Sequence, residues 1–219
     1  MFDANCLKLM FVAGSQDFYH IKGGKNDRIN ALLDALELAL QSQITAFQFR
    51  QKGDLALQDP VEIKQLAMKC QKLCQKYDVP FIVNDEAKLA LELKADGVHV
   101  GQEDMAIEEV ITLCKKRLFI GLSVNTLEQA LKAHHLDAVA YLGVGPIFFT
   151  PSKKDKQVVG VELLKKIKDS GVKKPLIAIG GITTDNASKL REYGGIAVIS
   201  AIAQAKDKAL AVGKLLNDA

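Results

Sequence analysis

Short apolar runs of four to seven residues recur along this chain, separated by longer stretches in which apolar positions return every three or four residues. The short runs are Leu7–Ala13, Ala46–Arg50, Pro80–Asn84, Gly97–Val100, Leu118–Leu122, Ala138–Leu142, Leu176–Ile179 and Ile196–Ile199. They are rich in Val, Ile and Phe, as strands buried on both faces of a parallel sheet should be. Between them, Arg28–Gln41 sets Ile29, Leu32, Leu33, Leu36 and Leu40 on one helical face. Val61–Lys76 does the same with Ile63, Leu66, Ala67, Cys70, Leu73 and Cys74. Helical periodicity continues over Glu86–Leu93, Ile107–Leu113, Leu127–Ala133, Val161–Ile167, Thr184–Glu192 and Ile202–Leu216.

Eight strands alternating with eight helices predict an α/β fold, a (β/α)8 TIM barrel. A doubly wound open sheet shares the alternation and is the structural alternative. Loops are short and no Pro/Ser-rich linker interrupts the pattern, which predicts a single domain over residues 1–219. The polar, glycine-containing stretch Ser15–Asp27 follows the first strand, on the side where a barrel carries its active site. It reads as an ordinary long loop, with a mobile lid as the alternative.

Composition narrows the function. Of 219 residues, 48% are hydrophobic and 25% charged, with a net charge of +3 and no tryptophan. That charge is too small and dispersed for nucleic acid, and no basic stretch is interleaved with aromatics. Anionic small molecules remain suitable ligands. Cys6, Cys70, Cys74 and Cys114 lack metal-ligand spacing, and Cys70 with Cys74, one helical turn apart, read as core packing. Met1–Asn5 lacks a basic segment leading into an apolar one, and no apolar run reaches the roughly 18 residues of a membrane span. The expectation is a reduced, soluble, cytoplasmic protein without membrane or nucleic-acid partners.

The polar clusters follow the predicted strands. After the sixth comes Gly143-Val144-Gly145-Pro146-Ile147-Phe148-Phe149-Thr150-Pro151-Ser152-Lys153-Lys154-Asp155, whose glycines, hydroxyls and ammonium groups suit a phosphate loop. Gln48, Arg50 and Lys52 alternate at the end of the second strand, so their donors can converge on a diphosphate. Asn84-Asp85 ends the third strand and Asp104 follows the fourth. Two carboxylates at neighbouring strand ends can share one Mg2+, which takes few protein ligands beside substrate phosphate. Ser123 follows the fifth strand as a hydroxyl donor. Gly180-Gly181 after the seventh and Ser200 after the eighth form a second phosphate site. His99, inside a strand, reads as a hydrogen-bonded structural residue. No Ser-His-Asp or Cys-His arrangement announces nucleophilic catalysis.

These segments resemble the thiamine phosphate synthase family. They appear in order as Gln48–Lys52, Val83–Asp85, Ala95–Asp104, Gly121–Ser123, Gly143–Asp155, Ala178–Ile182 and Ala197–Ile202. The resemblance implies a transferase that joins 4-amino-2-methyl-5-hydroxymethylpyrimidine diphosphate to a thiazole phosphate, releasing diphosphate and forming thiamine phosphate. It further implies that Gln48, Arg50, Lys52, Asn84, Ser123 and Lys153 hold the pyrimidine diphosphate, with Arg50, Lys52, Ser123 and Lys153 catalytic. Asp85 and Asp104 would hold Mg2+, the implied cofactor. Thr150, Pro151, Ser152, Gly181, Ile199 and Ser200 would line the thiazole phosphate site. Partners are then small phosphorylated molecules, and assembly into a homo-oligomer is left open. Phe49, Ser152 and Asn125 depart from the family's usual leucine, threonine and histidine. The alternatives are a related thiazole tautomerase, which relies on the histidine that Asn125 replaces, and a non-catalytic barrel that binds a thiamine precursor.

Overall fold

The computed structural model describes residues 2–150 and 157–218. Eight parallel strands close in chain order: β1 (Leu9–Ala13), β2 (Ala46–Phe49), β3 (Phe81–Asn84), β4 (Gly97–Val100), β5 (Phe119–Val124), β6 (Val139–Val144), β7 (Leu176–Ile179) and β8 (Gly195–Val198). Strand β8 pairs with β1 through Leu9↔Ile196 and Phe11↔Val198, and that pairing excludes the open sheet. The helices are α1 (Lys25–Gln41), α2 (Pro60–Lys76), α3 (Ala87–Leu93), α4 (Ile107–Cys114), α5 (Leu127–His134), α6 (Gly160–Asp169), α7 (Ser200–Ala203) and α8 (Lys208–Asp218).

The strands read as continuous apolar runs because both faces are covered. Residues such as Phe11, Phe47, Phe81, Val98, Leu142 and Ile196 point outward into the helix layer. Met10, Val12, Ala46, Ile82, Tyr141, Ile177 and Ala197 fill the barrel interior. Each fully buried Val, Ile, Leu, Met or Phe side chain among them contributes about 1.5–3 kcal/mol relative to exposure. Phe2 packs at the N-terminal end of this inner cluster, its ring 5.2 Å from Phe119 and 6.1 Å from Tyr141. Cys70 and Cys74 are fully buried against α2's neighbours, and burial pushes both thiols up. All four cysteines are free. Among the described residues no helix is long and apolar enough to cross a membrane.

Three stretches depart from their periodicity. Thr184–Glu192 forms only a 3-10 turn at Ala187–Leu190, because the Asn186 side chain accepts from Thr183 N–H at 2.9 Å and donates to the Gly181 carbonyl at 3.0 Å. Side-chain bonds of that kind compete with helix formation. Ile202–Leu216 is two helices, α7 and α8. Asp207 interrupts the pattern by accepting Leu210 N–H on its carboxylate at 2.9 Å and so caps α8. Ser15–Asp27 is shorter as a loop than its polarity implies: a 3-10 turn covers Ser15–Phe18, and α1 already begins at Lys25.

Candidate active site

Alternation along the strands delivers polar side chains to the C-terminal mouth. Gln48 of β2, Asn84 of β3, His99 of β4 and Ser123 of β5 share the inward face with Met10, Tyr141 and Ile177. With Arg50, just past β2, they line one cavity inside the barrel mouth. Gln48 is 4% exposed and His99 8%, so their polar atoms depend on partners within the barrel. Gln48 Nε2 approaches Met10 Sδ at 3.5 Å, while His99 bridges Tyr141 Oη at 3.0 Å and Ser123 Oγ at 2.9 Å. His99 is hydrogen-bonded within its strand's neighbourhood, as the sequence predicts.

Lys52 leaves that group. Strand β2 ends at Phe49, and the Lys52 side chain reaches outward so that Nζ lies 2.8 Å from Asp85 Oδ2 and 3.3 Å from Asp104 Oδ1. Asp85 adopts φ 64° immediately after β3, with its N–H donated to the His99 carbonyl at 2.8 Å. Asp104 curls back to accept Gly101 N–H at 2.8 Å. Burial raises Asp85 above the usual carboxylate range against the pull of Lys52. Burial also pushes Asp104 upward, but hydrogen bonds from Asp85, Gly101 N–H and Lys52 outweigh it and bring Asp104 below that range.

A second cleft opens where the loop after β6 meets the ends of β7 and β8. Thr150, Pro146, Gly180, Gly181, Ile182, Ile199 and Ser200 line it. The loop is zipped to β7 by Ile147 N–H to Ile179 O at 2.9 Å and Phe148 N–H to Gly180 O at 3.0 Å. Gly181 has φ +65°, and a Cβ there would lie 2.4 Å from the Phe149 carbonyl, so the backbone approach requires glycine. Ser200 opens α7, and first-turn N–H groups have no acceptor within their own helix. The two cavities share Ile179, Ala197 and Ile199 as a wall, so ligands in each would meet across it. Pro151, Ser152 and Lys153 lie outside the described residues.

The comparisons with known proteins agree with one another. The family model described as thiamine monophosphate synthase matches residues 18–202. The chain belongs to the thiamine monophosphate synthase family. It is 92% identical over its full length to a thiamine-phosphate synthase of Helicobacter pylori strain ATCC 700392 / 26695, also covered in full. It is 51% identical to that of Pasteurella multocida strain Pm70, covering 97% of this chain and 96% of the relative. A solved thiamine phosphate pyrophosphorylase from Pyrococcus furiosus superposes with a TM-score of 0.82 at 36% identity, covering 98% of this chain and 96% of that one. The family match takes in every site residue from Gln48 to Ser200 and starts after Gly14–Asp17.

Among the described residues no three His, Cys, Asp or Glu side chains gather as a metal cage. Asp85 and Asp104 are instead a pair, and both draw the Lys52 ammonium between them. A donor set of two carboxylates that attracts a cation fits Mg2+, which completes its shell with water and phosphate.

Several participants escape a reading of the sequence. Tyr141 and Met10 look like core residues, yet each touches a polar group of the cavity. Inward alternation two residues before Gly143 is the signal that could have placed Tyr141. Gln102 donates to the Ser123 carbonyl at 2.6 Å, Asn186 to that of Gly181, and Asn125 to that of Gly145. These amides pin the site's loops, and an isolated Asn or Gln in a loop carries no sequence signal for such a role.

Proposed function

We infer that this chain joins an aminopyrimidine methyl diphosphate to a thiazole phosphate, releasing diphosphate and forming thiamine phosphate. It is a transferase. The observation that carries the reading is the pairing of two adjoining cavities on one barrel rim, one beside Arg50, Lys52 and a carboxylate pair, the other beside Gly181 and Ser200.

The first cavity would take the pyrimidine diphosphate, held by Gln48, Arg50, Asn84 and Ser123, with Lys52 and Lys153 at the phosphates. Asp85 and Asp104 would hold Mg2+, which when bound neutralises charge on the diphosphate oxygens. Lys52 would then give up its carboxylate contacts and turn to phosphate. Thr150, Ser152, Gly181, Ile199 and Ser200 would hold the thiazole phosphate through hydroxyls and backbone N–H groups, with Pro151 lining the site.

The chemistry asks for charge stabilisation and placement. The bond between the pyrimidine methylene carbon and the diphosphate oxygen breaks, and its electron pair leaves on oxygen. Arg50, Lys52 and Ser123 donate to the oxygens on which that charge grows. The electron-rich aminopyrimidine ring carries the resulting methylene cation. The thiazole nitrogen, anchored by its phosphate across the shared wall, supplies the electron pair of the new C–N bond. No proton need be taken from either reacting atom, so this step asks for no general base. Asn125, bonded to Gly145, stands where a tautomerase would need its histidine, which disfavours that reading. Three buried free thiols suit a reducing cytoplasm.

The test is diphosphate release from purified protein given both substrates, with and without Mg2+. Metal-dependent release matched by thiamine phosphate is expected. Binding of both substrates without release would overturn the reading.

A further inference from the structure

We propose that Tyr141 and His99 are positioning residues, forming a directed hydrogen-bond chain that fixes the Ser123 hydroxyl as a donor toward the pyrimidine diphosphate. The proposal rests on the transferase reading for its substrate, while the direction of the chain rests on geometry alone.

The direction starts at Tyr141. Tyr141 is fully buried, and burial drives its phenol far above the ordinary range, so it keeps its proton. A buried O–H needs an acceptor, and His99 Nδ1 at 3.0 Å supplies one. A neutral imidazole that accepts at Nδ1 carries its proton on Nε2. Nε2–H then donates to Ser123 Oγ at 2.9 Å. Ser123 accepts from the ring, and its own proton turns into the cavity that Gln48, Arg50 and Asn84 also line.

The backbone makes room for this arrangement. A Cβ at Gly121 would lie 2.4 Å from His99 Nδ1 and 2.5 Å from Tyr141 Oη, and one at Gly143 would lie 2.8 Å from His99 Cε1. Two neighbouring strands therefore give up side chains where the imidazole crosses the barrel. Gln102 fixes the other end by holding the Ser123 carbonyl at 2.6 Å. Without the tyrosine hydroxyl donating to Nδ1, the ring can carry its proton there and Nε2 can become the acceptor. The serine proton would then turn to the ring and its lone pairs to the leaving group, so charge developing on the diphosphate would lose a donor.

The first readout needs no catalysis. Nitrogen-15 NMR of the histidine rings at about pH 8, where imidazoles are ordinarily neutral, should show His99 as the Nε2–H tautomer. In Tyr141→Phe it should shift toward a mixture. An Nδ1–H tautomer in the unmodified protein would overturn the proposal. The second readout is a double-mutant cycle. Tyr141→Phe keeps the ring in the core and should lower kcat about tenfold, leaving KM for the thiazole phosphate unchanged. Ser123→Ala should lower kcat about a hundredfold, and adding Tyr141→Phe to it should change nothing more. Losses that multiply would mean that Tyr141 acts independently of Ser123, which sinks the proposal. A protein with the expected tautomer that releases no diphosphate would overturn the transferase reading and leave the directed chain standing.

Discussion

Lys52 sits 2.8 Å from Asp85, with its ammonium in the place between two carboxylates that a divalent ion would claim. Lys52 is half exposed, and the Asp85 hydrogen bond is the largest cause that raises its pKa. The pair is therefore a solvent-screened contact that a competing cation can open. Asp104→Ala should abolish most activity at limiting Mg2+ and recover part of it as Mg2+ is raised. Near-normal activity at limiting metal would remove Asp104 from the metal site.

The same pair sets a pH dependence. Asp85 is raised by burial and hydrogen-bonds to Asp104, so the metal-free pair retains a proton more tightly than a free carboxylate does. Mg2+ binding at this pair would require that proton to leave. Metal affinity should therefore weaken as pH falls through the Asp85 range, by about tenfold per unit once the pair is protonated. For stability without metal the sign is opposite. A carboxylate whose folded pKa is raised favours the fold at low pH, and that contribution disappears as pH rises through the folded value. Calorimetric Mg2+ titration in two buffers of different ionisation enthalpy should show proton release. Affinity independent of pH would refute the shared proton.

Arg50 and Gly181 separate the two cavities experimentally. Arg50→Ala should raise KM for the pyrimidine diphosphate about 10–100-fold, the value of a charged hydrogen bond or two, with little effect on the thiazole phosphate. Gly181→Ala should do the reverse, because its Cβ would press on the Phe149 carbonyl and displace the loop beside Thr150. Steady-state kinetics with each substrate varied would check both. Equal weakening of both substrates by either change would mean the cavities are wrongly assigned.

The barrel was legible because strands covered on both faces have a simple apolar signature, and because helices α1 and α2 carry long unbroken periodicity. The carboxylate pair and the Gln48–Arg50 cluster were legible for a related reason: polar residues at the ends of buried strands have to converge on the mouth. What stayed hidden depends on contacts across the barrel. Tyr141 reads as core because its ring is core, and only its hydroxyl meets His99. Asn186 turns a helical pattern into a 3-10 turn through bonds to Thr183 and Gly181 that periodicity does not encode. Asp207 splits one apolar stripe into two helices by a cap, while the stripe itself continues across the break.

The segment after β1 supports Arg50 from outside the matched family region. Gln16 Nε2 donates to the Arg50 carbonyl at 2.7 Å and to Asp17 Oδ2 at 2.8 Å, while Gly14 N–H donates to that same carboxylate at 2.8 Å. Burial raises Asp17, with the Gly14 N–H and the Arg50 charge working against it. A Cβ at Gly14 would fall 2.0 Å from the Arg50 carbonyl, so the two chains touch backbone to backbone. Gly14→Ala should therefore displace Arg50 and raise KM for the pyrimidine diphosphate in the same direction as Arg50→Ala. Gln16→Ala, which removes the tether without a clash, should show a weaker form of that effect, about fivefold. Neither change should alter KM for the thiazole phosphate, since Gly14 and Gln16 line neither that cleft nor its shared wall. Kinetics of Gln16→Ala added to Arg50→Ala would decide the point. No further loss is expected if the tether acts through Arg50, and a full additional fivefold loss would show that it acts elsewhere.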